Sequence, residues 1–261
     1  MFQTHIADGV ATLTLDRPPV NAISEEWLRL FDAKLDELGA RTDCKVLHIR
    51  SEQKVFCAGA DLKQVDERMQ IADGPDRMYA YVANIQRLYF RIEQLPFVTL
   101  AEIGGAAMGG GFELALSCDL RVAANEAKLG LPEVRLGLIP GAGGTQRLTR
   151  LCGRTIASRL ILGAEVLDGA AACQLGLVQW AFPRAELRER AAEISQRIAA
   201  LPAAALAASK ACISAACDPG RDGYTDELDA TRQLLSNEET RQRVEAFLAG
   251  AADNAKPTKK N

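Results

Sequence analysis

The chain has 261 residues, 48% hydrophobic and 25% charged, enough for one large core or a core with an appended lobe. A net charge of −3 offers no general attraction to nucleic acid or anionic lipid, and Lys256, Lys259 and Lys260 read as a solvated tail rather than a binding element. No apolar run nears the ~20 residues of a membrane span, and residues 1–5 lack the parts of a signal peptide, so a soluble, cytoplasmic protein that binds neither membrane nor nucleic acid is expected.

Residues 2–6 and 10–15 flank Asp8-Gly9, a turn pair that favours a β-hairpin. After Arg17-Pro18-Pro19, Ser24 can cap a helix in which Trp27, Phe31, Leu35 and Leu38 recur at helical spacing until Gly39 stops it. Residues 45–50 read as a strand that runs into the small-residue turn Phe56-Cys57-Ala58-Gly59-Ala60, followed by Asp61 and a short helix. The polar stretch 64–80 contains Asp73-Gly74-Pro75 and is expected to be mobile. A helix over about 76–94 then leads to a strand at 97–101, a glycine-rich turn, a short helix through Glu113 and Leu116, and a strand at 119–123.

Strands alternating with helices imply an α/β chain with buried sheets. Beyond about residue 184 the strand signals vanish, and 203–216 followed by 222–248 reads as helix after helix. The expected division is a core over 1–195 and a helical region over 196–261. Seven cysteines, an odd number with no Cys-x-x-Cys spacing, read as reduced core residues.

The chemistry is carried by Glu113, at the end of Gly109-Gly110-Gly111-Phe112-Glu113, and Glu133, within Gly130-Leu131-Pro132-Glu133-Val134-Arg135-Leu136-Gly137. Both carboxylates sit in apolar, glycine-rich surroundings, where burial raises a carboxyl pKa toward the range useful for proton transfer near neutral pH. Two of them suggest an acid/base pair. Neither 104–111 nor 141–144 fits Gly-x-Gly-x-x-Gly, and the phosphate-loop and Gly-x-Ser-x-Gly patterns are missing. His5 and His48 are the only histidines, both in strand-like segments, which points to core or edge positions rather than to metal ligation.

Two small-residue turns at helix starts remain, Ala58-Gly59-Ala60-Asp61 and Gly109-Gly110-Gly111-Phe112. Unpaired amides at such a start can receive a ligand oxygen at close range. Either turn taken alone is better explained by tight turning and close packing; beside the two glutamates, the balance shifts to a functional reading.

These residues resemble the enoyl-CoA hydratase/isomerase (crotonase) superfamily. The likeness is carried by Val10-Ala11-Thr12-Leu13-Thr14-Leu15-Asp16-Arg17-Pro18, Phe56-Cys57-Ala58-Gly59-Ala60-Asp61-Leu62-Lys63, Gly109 to Ala115, Cys118 to Ala123 and Leu131 to Leu148, in family order over about residues 8–250. The resemblance implies a spiral of repeated ββα units with a helical C-terminal region that builds homotrimers, often paired into hexamers. It also implies a coenzyme A thioester substrate, its carbonyl oxygen held by the backbone N–H groups of Ala60 and Gly110, donors commonly worth about 3 kcal/mol each.

Family hydratases use both glutamates. The resemblance assigns Glu113 to deprotonating the water that attacks the β-carbon and Glu133 to protonating the α-carbon. Many isomerase, hydrolase and decarboxylase relatives lack one of the two, so hydration of a 2-enoyl-CoA is favoured. Ala58, Ala60, Asp61, Leu62, Lys63 and Gly110 are the implied substrate-binding positions. No metal or separate cofactor is implied, coenzyme A being part of the substrate.

Met78, Tyr79, Tyr81 and Leu88 fit an acyl pocket or, more simply, a helix packing on its core. Glu102 and Gly104 depart from the family pattern ahead of the glycine turn, away from the acid/base and oxyanion positions. Segments 50–52 and 95–97 resemble the methylglutaconyl-CoA hydratase branch. The alternatives are an enoyl-CoA isomerase, a hydratase of branched substrates, and a non-catalytic acyl-CoA or RNA binder.

Overall fold

The computed structural model describes residues 1–254, so Lys256, Lys259 and Lys260 lie outside the described residues. Asp8 and Gly9 both adopt positive φ (50° and 77°), as a two-residue hairpin turn requires, and join β1 (Phe2–Ala7) antiparallel to β2 (Val10–Leu15). Helix α1 (Glu25–Gly39) begins where the Ser24 hydroxyl accepts the Trp27 N–H, and it buries Trp27, Phe31, Leu35 and Leu38, the residues its periodicity picks out.

Strand β3 (Val46–Ser51) is followed by α2 (Leu62–Met69) and α3 (Gly74–Glu93). Then come β4 (Val98–Ile103), β5 (Ala107–Met108), α4 (Gly110–Leu116), β6 (Leu120–Ala124), β7 (Lys128–Gly130) and a 3-10 turn over Glu133–Leu136. Helix α5 (Gly144–Leu162), interrupted at Gly153, leads to β8 (Val166–Asp168), α6 (Gly169–Gln174), β9 (Trp180–Phe182) and α7 (Arg184–Ala199).

A six-stranded sheet in the order β1-β2-β3-β4-β6-β9 is parallel after the opening hairpin, and a three-stranded sheet runs β5-β7-β8. Successive turns of chain contribute a strand to each sheet and then a helix, as in β4-β5-α4 and β6-β7-α5. Earlier turns do the same with single bridges, Cys57 to Ala107 and Ile23 to Ala60. This is the ββα spiral the resemblance implied. Strands β2, β3, β4 and β6 are buried along nearly their whole length, as expected of parallel strands covered on both faces.

The chain divides into two units, the first being Met1–Ala200. The residue 195/196 position expected as a boundary falls inside α7, which contacts β2, β3, β4, β6 and β9. In the second unit, which begins at Leu201, α8 (Ala203–Ala215) packs against α9 (Gly223–Leu235), and α10 (Glu238–Asn254) follows.

Three local expectations are corrected. Most of 64–80 is helix: Pro75 enters α3 in its first turn, where a missing N–H costs nothing, so the Gly74-Pro75 pair starts a helix rather than a loop. The run 222–248 breaks at Ser236-Asn237 into α9 and α10. Among the cysteines only Cys44, Cys57 and Cys118 are buried, while Cys217 is exposed.

His5 lies exposed on the edge strand β1, and His48 is buried on β3. The unusual Glu102 is buried on β4 with Oε2 2.9 Å from His48 Nε2, close in distance but without the directionality of a hydrogen bond. His48 Nδ1 lies 3.2 Å from the Ser195 hydroxyl of α7. The departure at Glu102 thus places a carboxyl group beside a buried histidine.

Candidate active site

Ile23 fixes the first amide turn: its N–H donates to Gly59 O at 2.8 Å and its carbonyl accepts from Asp61 N–H at 2.9 Å, bracketing Ala60. The second turn leaves β5 at Gly109, whose N–H donates to Gly130 O at 3.0 Å. The turns press together. A Cβ on Gly59 would stand 2.7 Å from Met108 O and 3.2 Å from Gly110 N, and one on Gly110 would stand 3.7 Å from Ala60 N. Among the described residues, neither the Ala60 nor the Gly110 N–H donates to a protein acceptor, and both residues are only half-buried. Two neighbouring amides are therefore free to bind an oxygen from outside.

Helix α4 continues from Gly110 and carries Glu113, which is 2% exposed. The Gly144 N–H donates to Glu113 Oε1 at 2.7 Å. A Cβ on Gly144 would lie 2.7 Å from that same oxygen, so glycine is what lets the amide approach. Burial, and secondly the charge of Glu133, push the Glu113 carboxyl from 4.5 up to about 8, against the pull of the Gly144 and Ala142 amides and of Arg147.

Glu133 opens the 3-10 turn and is half-buried. Among the described residues its Oε2 is buried without a hydrogen-bond partner, and burial raises its pKa. Its Oε1 lies 2.8 Å from where a Cβ of Gly109 would stand. Gly109 also has φ 50° and ψ −125°, so both its backbone conformation and its neighbour exclude a side chain. Arg135 anchors the turn by donating to Ala164 O at 2.6 Å. Two carboxyls with raised pKa values, each brought in by a different element, thus stand beside a pair of free amides. Such a set can polarise a carbonyl and move protons at the adjacent carbons.

Of the other sequence-selected positions, Ala58, Leu62 and Lys63 are exposed near Ala60. The Asp61 carboxylate is engaged, accepting from Lys63 N–H at the start of α2 and pairing with Arg17 at 3.0 Å. Tyr81 and Leu88 belong to the core and Met78 packs against it, whereas Tyr79 is 79% exposed and lies outside the core.

Sequence reasoning missed Gly144 as a carboxylate-binding amide. It also missed Ile23, Glu93, Tyr89 and Arg147 as supports. Arg147 donates to Ala142 O at 2.8 Å and pairs with Glu93 through two bonds of 2.9 and 2.8 Å, which fixes the loop bearing the Gly144 amide. For Tyr89 the available signal was the apolar face of α3, where it falls in register with Ile85 and Ile92; Gly144 and Arg147 lay within the family-like segment Leu131 to Leu148 without a role assigned to them.

The family model for enoyl-CoA hydratase/isomerase matches residues 5–252. A probable mitochondrial enoyl-CoA hydratase 2 of Arabidopsis thaliana is 38% identical over 251 residues, covering 95% of this chain and 81% of that protein. The mitochondrial methylglutaconyl-CoA hydratase of Mus musculus is 43% identical over 172 residues, 65% of this chain and 53% of its own length. Among solved structures, the enoyl-CoA hydratase of Bacillus anthracis superposes with a TM-score of 0.88 at 33% identity, covering 95% of this chain and 96% of that one. By sequence and by fold, the chain belongs to the enoyl-CoA hydratase/isomerase family.

Proposed function

We propose that this protein hydrates a 2-enoyl-CoA thioester, adding water across the 2,3 double bond. The family acts on acyl-CoA thioesters. The observation that carries the finer reading is the pair of glutamates, both with raised pKa values, beside two unpaired backbone amides.

In this reading the thioester carbonyl oxygen accepts hydrogen bonds from the Ala60 and Gly110 N–H groups, which stabilise the charge that gathers on it as the β-carbon is attacked. Glu113, as carboxylate, takes a proton from water while the hydroxyl oxygen bonds to C3. Glu133 gives its proton to C2, so one water is added across the double bond. The Gly144 amide at Glu113 favours ionisation there, and the unpartnered Oε2 of Glu133 leaves room for a donated proton. Burial raises the pKa of both carboxyls, and the charge of Glu133 raises that of Glu113 further; in this reading a water donating to Glu113 favours its ionised form. Ala58, Leu62 and Lys63, exposed next to Ala60, suit the coenzyme A portion of the substrate, with Lys63 available to its phosphates. Proton transfer and carbonyl polarisation suffice for this chemistry without a further cofactor.

The test is loss of the conjugated-thioester absorbance of crotonyl-CoA. Glu113→Gln and Glu133→Gln should each lower kcat at least ~100-fold, within the range for acid/base groups, while binding of saturated butyryl-CoA stays within a few-fold. Near-wild-type turnover in either variant would overturn that residue's role. The 43% identity to the mouse methylglutaconyl-CoA hydratase favours a branched acyl group as a second reading, for which a 3-methyl-2-enoyl thioester replaces crotonyl-CoA in the same assay.

A further inference from the structure

Helix α3 carries two tyrosines, Tyr81 and Tyr89, eight residues and about two turns apart and therefore on one face. Both are buried, at 2% and 0% exposure. Each phenol reaches a backbone carbonyl at one of the two amide turns. Tyr81 donates to Ile23 O at 2.7 Å, and Tyr89 donates to Gly110 O at 2.7 Å.

Ile23 links the turns. Its carbonyl, which Tyr81 holds, also accepts the Asp61 N–H, and its N–H donates to Gly59 O, so the residue fixes both sides of Ala60. Its Cδ1 lies 3.0 Å from where a Cβ of Gly110 would stand. The Tyr81 ring is itself held from α2, with the Arg68 guanidinium 4.5 Å above it. One helix thus braces two glycine-containing turns whose own backbones are permissive. Two amides act together only if both lie within about 2.7–3.1 Å of the same oxygen.

We infer that Tyr81 and Tyr89 are positioning residues that hold the Ala60 and Gly110 amides at the separation one thioester carbonyl oxygen requires. The inference rests on the oxyanion role proposed above for those amides. Neither phenol touches the reacting atoms. The competing account is that each hydroxyl only satisfies its own buried hydrogen-bonding need, in which case its loss lowers the melting temperature and nothing else.

Tyr81→Phe and Tyr89→Phe keep the ring and remove the donor. Two readouts separate the accounts: steady-state turnover of the 2-enoyl substrate, and the infrared carbonyl band of unreactive butyryl-CoA labelled with 13C at the thioester carbon. Wild-type protein should shift that band to lower frequency on binding. In each variant kcat should fall about five- to twentyfold with KM within twofold, and the band should return partway to its free position. Glu113→Gln serves as the control that loses turnover without moving the band.

Unchanged kcat and an unchanged band in both variants, with only a lower melting temperature, would overturn the inference. A wild-type band that does not shift would instead remove the oxyanion reading, and this inference with it. If one variant fails to fold, the other decides, because each tyrosine reaches a different turn.

Discussion

Burial takes the Glu113 carboxyl from 4.5 to about 8, with the charge of Glu133 as the second cause. Between those values the unfolded chain is ionised at this residue while the folded protein keeps its proton. The stability associated with the neutral carboxyl is therefore fully present below about pH 4.5 and is lost as pH rises through about 8, at a rate of up to ~1.4 kcal/mol per pH unit inside that window. Glu113→Gln removes the titration. Its melting temperature relative to wild type should rise between about pH 5 and pH 8, and a difference that stays constant across that range would mean that the carboxyl titrates normally. Glu113 and Glu133 were legible in the sequence because a carboxylate amid glycines and apolar residues is out of place. Gly144, whose N–H holds Glu113, was not, since a backbone donor carries no side-chain signature and only the folded loop brings it within 2.7 Å.

At the scale of elements, the site depends on how α3 and α5 are tied. Arg147 of α5 is 11% exposed and Glu93 of α3 is 31% exposed, and their paired bonds fix the loop that ends in the Gly144 amide. Breaking such a partly buried pair leaves the remaining charge short of a partner, a loss on the order of 2 kcal/mol once partial solvent screening is allowed for. Glu93→Gln should lower the melting temperature by several degrees and reduce kcat several-fold through the displaced Gly144 amide; a stability loss with unchanged kcat would show that the loop holds without the pair. The elements themselves were readable where periodicity is strong, as in α1 with Trp27, Phe31, Leu35 and Leu38, or where turn chemistry is explicit, as at Asp8-Gly9. The strands β5, β7, β8 and β9, two or three residues each, are too short to display alternation, and tertiary pairing alone defines them. Residues 64–80 misled because Gly-Pro punctuates a loop and a helix start alike.

For the whole molecule, the ββα spiral followed from family motifs rather than from any local pattern, because the alternation of strands between two sheets is a long-range property. The second unit raises a different question. Helix α9 buries no residue and α8 buries only Ala215, while Ile213, Tyr224, Leu228, Leu235 and Phe247 are all more than two-thirds exposed in the single chain. Apolar side chains repeated along successive helices without a core of their own mark a surface that gains by being covered. We propose that a second and a third copy of the chain cover it, forming the trimer, or paired trimers, that the family resemblance implies. Light scattering at micromolar concentration should then return a mass of three or six 28.1 kDa chains. Leu228→Asp combined with Phe247→Glu should shift the mass toward the single chain, since a buried charge without a partner is costly at an interface. Wild-type protein that stays monomeric at that concentration would refute the proposal. An oligomer unaffected by the double substitution would place the interface elsewhere on the chain.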